Sequence, residues 1–199
     1  VGLVPEISFD HKKIDAADVL ILPGVGSFGN AMDSLRTLDL INPIKNYINS
    51  GKVLLAICLG MQLLLSSSEE FGVHEGLGSI DGHARKFSNF DDSGQKKIRV
   101  PHVGWSRIMF SKSISESEIL KKIENDEYMY FVHSYYVTNV PEKNVLTKSV
   151  YEGIEFTSGI QKGNIFGFQF HPEISDKAGV QFYSNIKSIA QQQKEMKND

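Results

Sequence analysis

The chain has 199 residues, 41% hydrophobic and 23% charged, with a formal net charge of −3. That length suits one domain, residues 1–199, with a sizeable core, and the charge provides no footprint for nucleic acid or an anionic membrane. One cysteine excludes an internal disulfide and fits a reducing, cytoplasmic setting, and no apolar run reaches the length of a membrane-spanning helix.

The start, Val1-Gly2-Leu3-Val4, has no methionine and no signal-peptide pattern, so part of the natural chain is expected to precede it. The first apolar run, Val19-Leu20-Ile21-Leu22, ends at Pro23-Gly24. Asn30 to Asn49 then repeats apolar residues near a 3.6 period (Met32, Leu35, Leu38, Ile41, Ile44, Ile48), with Pro43 as a break. A second run, Val53 to Ile57, ends at Cys58, and a helix is predicted directly after it over Leu59 to Leu65. Residues 80–115 hold scattered β-formers around the polar loop at 89–94, which predicts hairpins. A short charged helix is expected over 115–126 and a strand over Tyr128 to Val137. The third run, Ile165 to Phe170, ends at His171-Pro172-Glu173. An amphipathic helix carrying Val180, Tyr183, Ile186, Ile189 and Ala190 closes the chain, with a frayed polar tail over 191–199. Continuous apolar strands alternating with helices predict an α/β fold with a mostly parallel sheet. No repeat or interdomain linker is visible.

Cys58 carries the first chemical signal. A nucleophile on a sharp strand-to-helix turn needs small neighbours, and Ala56 and Gly60 flank it at two residues on either side. The helix start favours a thiolate, the reactive form. A buried structural cysteine is the alternative. His171 would stand at the same carboxyl edge of the sheet, as base, with Glu173 behind its ring; a plain surface turn around Pro172 is the alternative. His11, His74, His83, His102 and His133 are dispersed, and no metal-ligand spacing or cofactor site emerges. Gly24, Gly26 and Gly29 match G-x-G-x-x-G, but Pro23 interrupts the strand junction and no acidic residue is placed for a ribose. A turn that presents N–H groups to an oxyanion is the better reading.

Ala56-Ile57-Cys58-Leu59-Gly60-Met61-Gln62 and Phe168-Gln169-Phe170-His171-Pro172-Glu173 together resemble the two halves of the class I (triad) glutamine amidotransferase signature. Pro23-Gly24-Val25-Gly26, Pro101-His102-Val103-Gly104-Trp105 and Tyr130-Phe131-Val132-His133-Ser134-Tyr135-Tyr136 resemble a branch of that family whose members feed ammonia to a barrel-shaped cyclase (synthase) subunit in histidine biosynthesis. The likeness spans nearly the whole chain. It implies a three-layer, flavodoxin-like fold with β-hairpin insertions, lacking the family's first strand and helix.

The likeness also implies L-glutamine as substrate, no cofactor and a heterodimer with the cyclase. Its triad would be Cys58, His171 and Glu173, with oxyanion donors from Leu59 and, after a peptide flip that Gly24 and Gly26 permit, from the Val25 region. Gln62, Glu70, His133, Ser134 and Tyr135 would bind the substrate's α-amino and carboxylate end. His102, Gly104 and Trp105 would lie at the interface; from the residues alone, Trp105 reads as a core tryptophan. Ser106 departs from the branch, which carries asparagine there, and leaves room for a paralogue serving an amidino-sugar synthase. A non-catalytic binding subunit is a further rival.

Overall fold

A computed structural model of the protein describes residues 1–90, 97–114 and 116–198. After α1 (His11–Ala16) come β1 (Val19–Leu22), α2 (Phe28–Thr37), α3 (Ile41–Asn49), β2 (Val53–Ile57) and α4 (Leu59–Leu63). Three short strands follow, β3 (Ser67–Ser68), β4 (His74–Glu75) and β5 (His83–Lys86), then β6 (His102–Arg107) and β7 (Met109–Phe110). The second half holds β8 (Tyr128–His133), β9 (Tyr135–Thr138), β10 (Val145–Tyr151), β11 (Ile154–Lys162), β12 (Ile165–Phe168) and α5 (Asp176–Asn198), with 3-10 turns at Glu118–Leu120, Glu142–Asn144 and Pro172–Ile174.

The three apolar runs form adjacent parallel strands, in the order β1-β2-β12. Every residue of β2 is buried, and its side chains alternate between two cores as a period of two requires. Leu54 and Ala56 join the core under α1–α4, whereas Val53, Leu55 and Ile57 join the core under α5. The domain is therefore three-layered, helix on sheet on helix.

Beyond β12 the order continues β11-β9-β5-β3-β4, with β10 branching from β11 and β7 pairing with β10. Most of these pairs are antiparallel, so the sheet is mixed. The expectation of a mostly parallel sheet is corrected to a parallel centre carrying the site and an antiparallel extension. The reason is local: the connections joining β8 to β12 are too short to hold crossover helices. The predicted strand over Tyr128 to Val137 is two strands in two sheets. It breaks at Ser134, and β8 pairs with β6 while β9 pairs with β5 and β11.

The Asn30 to Asn49 periodicity is two helices that turn at Asp39, where φ is 51°. Pro43 does not cause the break. It sits in the first turn of α3, where its missing N–H has no partner to lose. The charged helix expected over 115–126 shrinks to the turn at Glu118–Leu120, and α5 continues through the tail expected to fray. On α5 the core face carries Phe182, Ile186, Ile189 and Ala190, while Val180 is exposed. The hairpin loop expected at 89–94 falls largely outside the described residues; its flanks, Phe90 and Lys97, form an isolated antiparallel bridge.

Candidate active site

β2 delivers Cys58 to the start of α4 with φ 53° and ψ −112°, a conformation that costs a non-glycine residue free energy and marks a strained elbow. Two neighbours explain how the elbow is held. The Cys58 N–H donates to the Phe168 carbonyl at 2.7 Å, tying it to β12. Gly60 passes so close to β1 that a β-carbon there would lie 1.9 Å from the Leu22 carbonyl oxygen. Gly24 packs the following turn onto the same helix start, since its added β-carbon would meet Leu59 Cβ at 2.7 Å and Gly60 N at 2.9 Å. Gly26 takes φ 88°, and Val25 between the two glycines is 93% exposed. The glycine turn thus packs on the residues that follow Cys58.

His171 arrives from the other half of the chain. Beyond β12 the backbone leaves the ladder with β2, and the His171 N–H donates to the Tyr130 carbonyl on β8 at 2.9 Å. The turn that follows is locked by Ser175, whose hydroxyl donates to the His171 carbonyl at 2.6 Å and accepts from Tyr130 N at 3.0 Å. Imidazole Nδ1 lies 2.6 Å from Glu173 Oε1. The opposite nitrogen, Nε2, is buried and finds no hydrogen-bond partner among the described residues. Even so, Cys58 is the largest influence on the ring. Cys58 first and Glu173 second raise the His171 pKa to about 10, against the opposing effect of burial. Cys58 acts on the ring although no hydrogen bond to Nε2 forms among the described residues. Burial pushes the Glu173 carboxyl up, but the hydrogen bond to His171, a backbone hydrogen bond and the charge of His171 together outweigh it and leave the group below its ordinary value.

A histidine raised above its ordinary value of 6.5 contributes stability that is fully present below pH 6.5 and lost as pH rises through about 10. We expect wild type to melt at a higher temperature than Glu173→Gln near neutrality, with the gap narrowing between pH 6.5 and 10. Thermal unfolding of both across that range checks this, and a gap independent of pH would contradict it.

The remaining sequence candidates divide. Gln62 is buried and its amide nitrogen is committed twice, to the Tyr135 carbonyl at 3.0 Å and to Gln169 Oε1 at 2.9 Å, which leaves its carbonyl oxygen to offer a ligand. Glu70 Oε2 accepts from Phe28 N at 2.6 Å, so one oxygen is tied to the start of α2, just after the glycine turn. Burial, then the charges of Glu70 and Glu69, raises the Tyr135 hydroxyl pKa. Ser134 is half-buried at the strand break.

The His133 side chain is committed to internal contacts. Its Nδ1 contacts the Tyr135 carbonyl at 2.8 Å and its Nε2 contacts His102 Nδ1 at 3.0 Å, so any contact with a ligand falls to the backbone of this segment. His102 is corrected as an interface side chain, because it is 1% exposed and stacked on Phe131 and Tyr151. Gly104, at φ 136°, is half-buried in β6. Trp105 is 51% exposed, edge-to-face with Tyr130, and not the core residue its chemistry alone predicts. Sequence reasoning gave no role to Gln169, whose amide nitrogen lies 3.6 Å from Cys58 Sγ. The available signal was its place as the one polar side chain in the run Ile165 to Phe170.

The family model described as "Glutamine amidotransferase class-I" matches residues 4–187. A protein of Sulfurimonas denitrificans named "Imidazole glycerol phosphate synthase subunit HisH" is 46% identical over 187 residues, covering 94% of this chain and 86% of that protein. The protein of the same name from Aquifex aeolicus is 43% identical over 185 residues, covering 93% and 84%. Among solved structures, one of a glutamine amidotransferase superposes with TM-score 0.67 at 14% identity, covering 94% of this chain and 88% of that one. That likeness speaks for the fold alone.

Proposed function

This chain belongs to the class I glutamine amidotransferases, and from that membership we propose that it is the glutaminase subunit of an imidazole glycerol phosphate synthase, hydrolysing glutamine to glutamate and ammonia in histidine biosynthesis. One observation carries the reading at residue level: the strand leading to His171 accepts the Cys58 N–H at 2.7 Å and Glu173 Oε1 lies 2.6 Å from the His171 ring, so groups separated by more than a hundred residues meet in one place.

With a pKa of about 10, His171 is an imidazolium at neutral pH and holds the proton that the leaving group needs, while the thiolate is the form of Cys58 that attacks. The thiolate attacks the side-chain amide carbon of glutamine. The Leu59 N–H, with the backbone of the Val25 turn as second donor, holds the tetrahedral oxyanion. His171 gives its proton to the departing ammonia, and a γ-glutamyl thioester remains. The now neutral ring takes a proton from water, which attacks the thioester carbon and releases glutamate and the thiolate. Glu173 keeps the ring oriented through both steps. Glu70, the Gln62 carbonyl oxygen and the segment His133 to Tyr135 receive the substrate's charged end.

The outer face of the β6–β8 ribbon supports a protein partner. Val103, Trp105 and Arg107 pair across to Val132, Tyr130 and Tyr128, and the Arg107 guanidinium lies 5.1 Å from the Tyr128 ring centre. A rigid aromatic patch of this kind suits an interface anchor. The Val132 carbonyl on this ribbon also lies 3.8 Å from Cys58 Sγ, so the face adjoins the place where ammonia is released. We assign it to a barrel-shaped cyclase subunit in a heterodimer, working in the cytoplasm. Ser106 points inward, its hydroxyl 3.0 Å from His102 Nε2. Its departure from asparagine therefore changes an internal contact, which removes the main reason to favour an amidino-sugar partner. Among the described residues, no helix is long and apolar enough to cross a membrane.

Treatment with a glutamine-analogue electrophile followed by peptide mapping is expected to place the adduct on Cys58, and excess glutamine should protect it. An adduct elsewhere, or no protection, would overturn the assignment.

A further inference from the structure

Gln169 is fully buried between Phe168 and Phe170, where an amide must satisfy both of its ends within the protein. The direction of that amide follows from one carbonyl. The Tyr135 backbone oxygen only accepts, so the Gln62 group 3.0 Å from it must be the amide nitrogen. The second N–H on the same nitrogen then requires an acceptor, and the atom 2.9 Å away is Gln169 Oε1. Gln169 Nε2 is thereby turned toward Cys58 Sγ, at 3.6 Å.

The same carbonyl anchors a second arm. It accepts from His133 Nδ1 at 2.8 Å, so His133 Nε2 must accept from His102 Nδ1 at 3.0 Å, and His102 Nε2 from the Ser106 hydroxyl at 3.0 Å. Burial keeps both rings neutral, pushing His133 down to about 3 and His102 to about 4, as this pattern needs. The carbonyl that orients the glutamine pair is thus pinned beneath the partner-facing ribbon.

We propose that Gln169 is a positioning residue for the nucleophile, donating a hydrogen bond to the Cys58 thiolate in a direction set by Gln62 and the Tyr135 carbonyl. The inference rests on Cys58 being the nucleophile. Gln62 gains a second role, because it fixes the amide that faces the sulfur. A donor on one side and the His171 imidazolium on the other confine the thiolate to the attacking position and hold its charge.

The test is the pH dependence of Cys58 alkylation by iodoacetamide, on the full chain. Gln169→Glu keeps an acceptor for Gln62 but replaces the donor with a negative oxygen. Gln169→Met removes both ends at similar volume. In both, the half-maximal rate should move to higher pH, with the neutral-pH rate falling about tenfold or more. In glutamine turnover kcat should fall more than KM changes. A merely structural role would reduce the amount of folded protein and leave the pH midpoint in place. A third readout needs no variant: the ¹⁵N side-chain amide resonance of Gln169 in wild type should shift as Cys58 titrates. An unmoved midpoint in a folded variant, or a resonance indifferent to the titration, overturns the proposal. If wild-type Cys58 does not react at all, the nucleophile reading falls and takes this inference with it. If wild type reacts and the variants match it, this inference alone falls.

Discussion

Cys58→Ala is expected to abolish glutamine-dependent synthesis by the assembled complex while leaving synthesis from added ammonium intact. Removing the nucleophile of a comparable hydrolytic triad costs on the order of 10⁶ in kcat, and no other side chain at the elbow can form the thioester. Cys58→Ser should fare little better, because the sulfur supplies nucleophilicity through a thiolate that a serine hydroxyl does not form beside this histidine. Alanine should also lower the His171 pKa, since Cys58 is the first of the two influences holding it near 10. It should remain above 6.5, because Glu173 Oε1 still sits 2.6 Å from Nδ1. Steady-state assays with the two nitrogen sources, together with NMR titration of the imidazole, would check both parts. Persistent glutamine-dependent activity would favour the rival reading of a non-catalytic binding subunit.

The parts of this fold that could be read from the sequence are those in which burial writes a pattern. β2 and β12 are apolar without interruption because both faces of the sheet are covered there, β1 at the sheet edge is as apolar although its Ile21 is exposed, and each run ends beside residues of the site. Small residues around Cys58 were legible for a similar reason, since a 1.9 Å approach to Leu22 leaves no room for any other side chain at Gly60. The antiparallel half was harder to read. β3, β4 and β7 are two residues each, too short to show any period, and they exist through tertiary pairing. The passage from β8 to β9 keeps the composition of one strand while changing sheet at Ser134, which no local signal records.

Within the site, motif residues were legible but the direction of their side chains was not. His102 and Trp105 lie three apart on β6 and so fall on opposite faces, yet the motif alone does not say which face is inside. The inward face carries His102 because Phe131, Phe156 and Tyr151 surround its ring there. Gln169 escaped notice because its role depends on Gln62, more than a hundred residues earlier in the chain.

Gly60→Ala is expected to lower both stability and turnover, against the ordinary trend for a helical position. In a helix interior, alanine is favoured over glycine by roughly 0.5–1 kcal/mol. Here the new β-carbon would sit 1.9 Å from the Leu22 carbonyl oxygen and 2.9 Å from its carbon, and both are backbone atoms of a strand paired to β2. Overpacking of this kind costs about 1–3 kcal/mol or more, so the clash outweighs the propensity gain. Relief requires α4 to move away from β1, and Cys58, as the residue that starts α4, must move with it. A displacement of about 1 Å at a reacting group is worth about a hundredfold in rate. Gly179 has the equivalent position on the other half of the site, since its β-carbon would lie 1.9 Å from the Pro172 carbonyl oxygen beneath His171 and Glu173. Gly179→Ala should therefore disturb the base as Gly60→Ala disturbs the nucleophile. Chemical denaturation together with glutaminase assays would separate these outcomes from a simple gain in helix propensity. A Gly60→Ala protein that is more stable than wild type and equally active would show that the elbow is not held by this contact.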